Sequence, residues 1–227
     1  AQLYGITREE QDELALLSQR RACQALKDGV FREEIVPVEV HTRKGVEVVD
    51  TDEYPKQDVT MEKLSNLKVS FLEGGTVTAG NASGMNDAAS GVILAAEDRA
   101  KELGLPILAR ILSTATVGVD PDIMGIGPVD ATRKALAKAG LALKDLDRIE
   151  LNEAFAAQYL ACEKELGLDR SITNVHGSGI SLGHPVGATG TRLITTLLYE
   201  LKRTGGRYGL VAICAGGGMG VALVVEA

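Results

Sequence analysis

The chain has 227 residues, room for one large domain or two small ones, with 45% hydrophobic and 24% charged residues, a balance typical of globular proteins. A formal net charge of -7 argues against a nucleic-acid or anionic-membrane partner. No apolar run reaches membrane-span length, no signal-peptide pattern is present, and three cysteines without CxxC spacing argue against a disulfide framework or a zinc site, so a cytoplasmic protein is expected.

A helix is expected almost at once. Thr7 and Glu10 form a capping-box pattern, Leu14, Leu17, Arg21 and Ala25 follow at helical spacing, and Gly29 stops the run. From Val30 to about Leu72, short polar strands and turns ("VPVEVHTRKGVEVVDTDEYPKQ") build little core and read as an excursion lying on something larger. "GTVTAGNASGMNDAASGVILAAEDRAKELG" then predicts a short strand, a Gly/Asn/Ser turn and an alanine-rich helix starting near Asn86. That helix is apolar nearly all round, through Ala88, Ala89, Val92, Ile93, Leu94 and Ala95, which implies burial on several sides.

"PILARILSTATVGV" reads as a strand, and "GPVDATRKALAKAGL" as a helix opened by Pro128 and closed by Gly140. "DRIELNEAFAAQYLACEKELG" is a strand running into a helix, and "GHPVGATGTRLITTLLYELKRTG" a glycine-rich loop opening another. "YGLVAICAGGGMGVALVVEA" is two apolar strands about a glycine turn. Strand and helix units alternating from Leu105 onward predict a layered α/β domain.

Polar residues cluster at four strand ends or turns, where α/β folds place their sites. They are Asn81-Ala82-Ser83-Gly84, Asn152-Glu153, His184 within "SLGHPVGATG", and Cys214 with its glycines. Asn81 and Ser83 also suit a turn, and Asn152 a helix cap. His184, between Gly183 and Pro185, has a fixed ring beside open backbone, whereas His41 and His176 read as surface residues. Cys23 and Cys162 lie in helical patterns and behave as small hydrophobes, leaving Cys214 as the candidate reactive thiol. A thiol, an imidazole and an amide beside bare glycine N–H groups suit acyl-thioester chemistry: proton transfer plus stabilisation of developing negative charge.

"NEAFAAQ", "GHPVGATG" and "CAGGGMG", in that order and after "GTVTAGNASGMND", resemble the thiolase family, in detail its bacterial acetyl-CoA acetyltransferases. The resemblance runs along the whole chain. It implies a thiolase-like layered α/β/α/β/α fold, to which this chain would contribute the C-terminal half-domain and part of the loop domain. Residues 1–85 would be the loop-domain remainder on the CoA-binding side, 86–105 the last helix of the N-terminal half, and 106–227 the C-terminal domain.

The implied activity is Claisen condensation of two acetyl-CoA to acetoacetyl-CoA and CoA, with thiolysis as its reverse. By resemblance, His184 would activate the nucleophile and, with a water held by Asn152, form one oxyanion hole. Cys214 would be the acid/base at the substrate α-carbon, and the Gly216 N–H would serve a second oxyanion hole. Ala79 and Ser83 would line the pantetheine channel, with Met124 and Phe155 around the acyl end. No cofactor or metal is implied beyond the CoA thioester substrate.

Cys214 separates this pattern from ketoacyl synthases, which carry a histidine or asparagine there. Departures are small: Ala215 replaces a branched residue, and "GSGISLGHP" a more usual "GGAIALGHP". The family's covalent nucleophile is another cysteine in an N-terminal half without a counterpart here. The implied partners are therefore that half and a second copy in a homo-dimer or tetramer, with no nucleic acid and no membrane. The alternative is an inactive CoA-binding or scaffolding fragment.

Overall fold

A computed structural model describes residues 1–227. Helix α1 (Arg8–Lys27) begins with the expected capping box. Thr7 Oγ1 accepts from the Glu10 amide at 3.1 Å, and Glu10 Oε2 accepts from the Thr7 amide at 2.7 Å. Strands β1 (Val38–Thr42) and β2 (Gly45–Val49) form an antiparallel hairpin exposed along its whole length, so this excursion adds no core. A short helix α2 (Met61–Ser65) follows, capped by Thr60, and buries Leu64.

The next stretch departs from expectation. The short strand read in "GTVTAGN" is reduced to isolated bridges, Val69 with Thr78 and Ala82 with Phe155. The helix expected from Asn86 does not form either, and only α3 (Glu97–Glu102) is helical. Propensity favours a helix over these alanines, but short helices depend on tertiary packing of an apolar face. Here the apolar side chains meet little: Ile93 is 91% and Leu94 74% exposed.

From residue 110 the alternation is as read. In chain order come β3 (Arg110–Gly118), α4 (Gly127–Ala139), β4 (Arg148–Leu151), α5 (Ala156–Leu166), α6 (Gly179–Leu182), α7 (Thr189–Thr204), β5 (Tyr208–Ala215) and β6 (Met219–Glu226). Pro128 sits in the first turn of α4, and Gly140 ends it with left-handed backbone. The sheet order is β3-β6-β5-β4; only β4 and β5 run parallel, joined by the α5-α6-α7 crossover.

The period-two alternation of β5 separates two cores. Leu210 and Ala212 face a large cluster with α1, α4 and α5, including Leu14, Val129, Ala135 and Tyr159. Val211 faces α7, where Leu193, Leu197 and Leu201 close a smaller core with Val225. On β4 the same parity sends Ile149 and Leu151 into the large core and turns Glu150 and Asn152 to the α7 face. Gly127 and Gly220 let α4 abut β6 directly: a Cβ on Gly220 would sit 2.1 Å from the Gly127 carbonyl carbon. No helix is long and apolar enough to cross a membrane.

Candidate active site

The parallel pair β4–β5 ends at one edge of the sheet, the edge at which open α/β sheets place ligands. Asn152 is the first residue past β4. Its amide continues the ladder to Ala212 O at 3.0 Å, which fixes the backbone. Its side-chain Nδ2 reaches both ring nitrogens of His184, at 3.4 Å to Nδ1 and 3.5 Å to Nε2, and its Oδ1 is buried without a partner. Two residues 32 apart in sequence therefore meet, as an amide stacked over an imidazole.

His184 is held from several directions. Its backbone N–H donates to Gly84 O at 3.0 Å, and its Nδ1 lies 2.8 Å from Thr189 Oγ1 at the start of α7. Burial, and then the charge of Arg192 on the same helix, hold the imidazole pKa below the usual histidine value, so it is neutral near pH 7.

Cys214 reaches the same edge from the other face. It continues the parity of Leu210 and Ala212, toward the large core and Cys162. Burial pushes its thiol up to about 11, and no hydrogen bond joins it to His184, whose partners are Asn152 and Thr189. The following turn uses left-handed backbone at Gly217 and Gly218, with φ of 86° and 88°, as a tight hairpin requires. Gly216 is different: it is exposed, nothing lies within 4 Å of where a Cβ would be, and its N–H has no partner in the chain. A free N–H two residues beyond a thiol can approach an acyl oxygen.

The segment Ala82–Gly84 ties these parts together. Ala82 bridges to Phe155, the Ser83 amide donates to Ala154 O at 3.0 Å, and Gly84 O receives the His184 amide. Asn81 is a structural residue within it. Its fully buried side chain accepts from the Thr78 amide and donates to Asp12 and to Thr76 O.

Met124 and Phe155 line one cleft of about 310 Å³ with Phe71 and Val77; Ala79 and Ser83 are not among its walls. Ala79 is exposed and Ser83 half-buried. Glu153, beside Asn152, is an anchor: Ser18 Oγ donates to it at 2.6 Å and Asn174 Nδ2 at 3.1 Å, binding the end of β4 to α1.

Three groups escaped the sequence reading. Thr189 had only helix-start residues for context. Glu150, buried, and Arg192, half-buried, lie 3.9 Å apart behind the site and looked like ordinary polar positions of a strand and a helix. His176, read as a surface residue, is instead half-buried and 2.7 Å from Glu200. Burial opposes ionisation of Glu200, yet hydrogen bonds from His176 and Arg148 hold it down at about 2. His41 is exposed on β1.

A helix-flanked sheet with an amide–imidazole pair at its strand ends, a buried thiol and a bare glycine turn defines a layered α/β protein with a candidate acid–base site. Comparison with known proteins gives its kin. Residues 1–98 match the thiolase N-terminal domain and residues 105–227 the thiolase C-terminal domain, so the chain belongs to the thiolase family.

It is 55% identical over 226 residues to an acetyl-CoA acetyltransferase of Pseudomonas aeruginosa, covering 99% of this chain and 58% of that protein. The crystal structure of the Bacillus anthracis acetyl-CoA acetyltransferase superposes with a TM-score of 0.97 at 53% identity, covering 99% of this chain and 57% of that one. Human mitochondrial 3-ketoacyl-CoA thiolase in complex with CoA superposes with a TM-score of 0.90 at 45% identity, over 98% of this chain and 55% of that one. The chain thus spans a little over half the length of these relatives, and the thiolase fold is its fold.

Proposed function

We propose that the chain supplies the acid–base half of an enzyme that transfers acyl groups between CoA thioesters, condensing two acetyl-CoA to acetoacetyl-CoA and CoA and running the thiolysis in reverse. The observation that carries this reading is the Asn152–His184 pair at the end of β4, with the Asn152 Oδ1 buried and unpartnered. An unsatisfied buried amide oxygen suits the water that the family's first oxyanion hole requires.

In this reading His184 Nε2 takes the proton of a nucleophilic thiol, the thiolate attacks the thioester carbonyl, and CoA leaves as thiolate. The imidazolium then returns its proton to the CoA sulfur, so the acylation step is balanced. Cys214 handles the α-proton of the second acetyl-CoA. The free Gly216 N–H receives negative charge developing on its carbonyl oxygen. The CoA arm runs past Ala79 and Ser83, and the acyl end sits near Met124 and Phe155.

None of this chain's cysteines suits the covalent nucleophile. Cys23 lies within α1, Cys162 is buried in α5 as part of the large core, and Cys214 is taken by proton transfer at the substrate α-carbon. The reading therefore assigns that cysteine to a partner segment, the N-terminal half of the family. It divides this chain into 1–85, 86–105 and 106–227 and places it in a cytoplasmic homo-dimer or tetramer.

The test is acetoacetyl-CoA thiolysis. The purified chain should show no turnover, and mixing it with the N-terminal segment of the Pseudomonas relative should restore turnover that His184→Ala abolishes. Turnover by the chain alone would mean that the nucleophile is misassigned. A folded reconstituted complex that binds CoA without turnover would favour a scaffolding role.

A further inference from the structure

The hydroxyl of Thr189 makes two short contacts. Its Oγ1 lies 2.8 Å from the carbonyl oxygen of Pro185 and 2.8 Å from Nδ1 of His184. A threonine hydroxyl carries one proton, and a carbonyl oxygen has none to give. Two oxygens at 2.8 Å without a proton between them would repel, so the Thr189 proton lies on the Pro185 side. The contact with His184 can then be a hydrogen bond only if Nδ1 carries a proton and donates it.

Asn152 does not distinguish the two ring nitrogens, since its Nδ2 lies 3.4 Å from Nδ1 and 3.5 Å from Nε2, so Thr189 decides the tautomer. Thr189 is itself fully buried, so no water competes for its hydroxyl.

We propose that Thr189 is a positioning residue that locks His184 in the Nδ1–H form and leaves Nε2 as the only ring nitrogen that exchanges a proton. The proposal deepens the acyl-transfer reading and rests on it for its use, because a base must present a lone pair to the thiol it deprotonates. The choice of orienting group matters. A carboxylate at Nδ1 would stabilise the imidazolium; a neutral hydroxyl fixes the tautomer without adding negative charge. The charge of Arg192 works in the same direction by disfavouring the imidazolium. His184 is thereby set to take a proton at one atom and surrender it readily.

The test is two-bond ¹H–¹⁵N NMR of the ¹⁵N-labelled chain, which separates protonated from unprotonated ring nitrogens. Only His41, His176 and His184 contribute, and a His184→Gln variant assigns the third. Above the titration of His184, its wild-type spectrum should show a protonated Nδ1 and a bare Nε2; a dominant Nε2–H form overturns the proposal.

Thr189→Val, of nearly the same shape, should shift the tautomer ratio about fivefold toward Nε2–H, the ratio equivalent to a net hydrogen bond of about 1 kcal/mol. Thr189→Ser should restore it. A valine variant with the wild-type ratio overturns the proposal; should that variant not fold, the wild-type and serine spectra decide. No substrate is present, so failed acyl transfer and a wrong tautomer are separate results.

Discussion

Replacing Glu150 by glutamine should make the protein more stable at alkaline pH while leaving it unchanged under mild acid. Glu150 is 2% exposed, its Oε2 has no hydrogen-bond partner, and Arg192 Nη1 is no nearer than 3.9 Å. Burial pushes its pKa up to about 8. Arg192 opposes the shift, and Glu34, Glu153 and Glu200 add to it. The folded protein therefore binds a proton here that the unfolded chain releases near pH 4.5. The stability this provides is complete below pH 4.5 and is lost as pH rises through 8.

The span from 4.5 to about 8 corresponds to an upper limit of about 5 kcal/mol. Relaxation and water entry reduce it, so a gain of about 1–3 kcal/mol is expected at pH 8.5. Urea unfolding of wild type and Glu150→Gln at pH 5.0, 7.0 and 8.5 reads the difference directly, with equal slopes required for the comparison. The opposite result is equally definite. Were Glu150 ionised against Arg192 in the folded state, glutamine would leave a buried guanidinium short of a counter-charge and cost about 3–5 kcal/mol at neutral pH. A variant less stable at pH 8.5 refutes the reasoning.

Two further substitutions probe packing and chemistry. Gly220→Ala forces a Cβ to within 2.1 Å of the Gly127 backbone, which no side-chain rotation relieves, so thermal denaturation should show a loss of about 3 kcal/mol or more. An unchanged melting temperature would mean that α4 and β6 do not abut. In the reconstituted enzyme, Cys214→Ser should lower condensation and thiolysis by about 10²–10⁴-fold, because a serine hydroxyl is too weak an acid for the transfer, and leave acylation of the nucleophile intact. Equal loss of both half-reactions would remove Cys214 from the proton-transfer role.

What could be read from sequence alone depended on how far apart the deciding atoms lie in the chain. Helix α4 announces itself through Pro128 and Gly140, and α5 through Gly167, because start and stop signals act within one turn. The stretch from Asn86 has equally good local signals and is not helical, since a segment apolar on every side is decided by what covers it. His184 and Asn152 stood out because a glycine-rich loop and a strand end are visible locally. Glu150 was hidden by its own pattern: in "RIEL" a charge alternating with apolar residues reads as the solvent face, and that face lies under α7. His176 looked unremarkable because its partner, Glu200, is 24 residues away.

Burial acts in opposite directions on the two groups in the proposed chemistry. His184 sits on the α7 side, where burial and Arg192 lower its pKa. Cys214 faces the apolar side, where burial without a charged partner pushes it up to about 11. At neutral pH the imidazole is empty and the thiol is loaded, a separation that burial widens beyond the ordinary difference between the two groups. An empty Nε2 suits removal of a proton from a thiol. A loaded Cys214 suits donation of a proton to a substrate carbanion in thiolysis, and condensation requires it to lose that proton first. Burial disfavours the charged form of each group, an imidazolium and a thiolate, so the same desolvation drives the two proton affinities apart and lets one site hold an acceptor and a donor at the same pH.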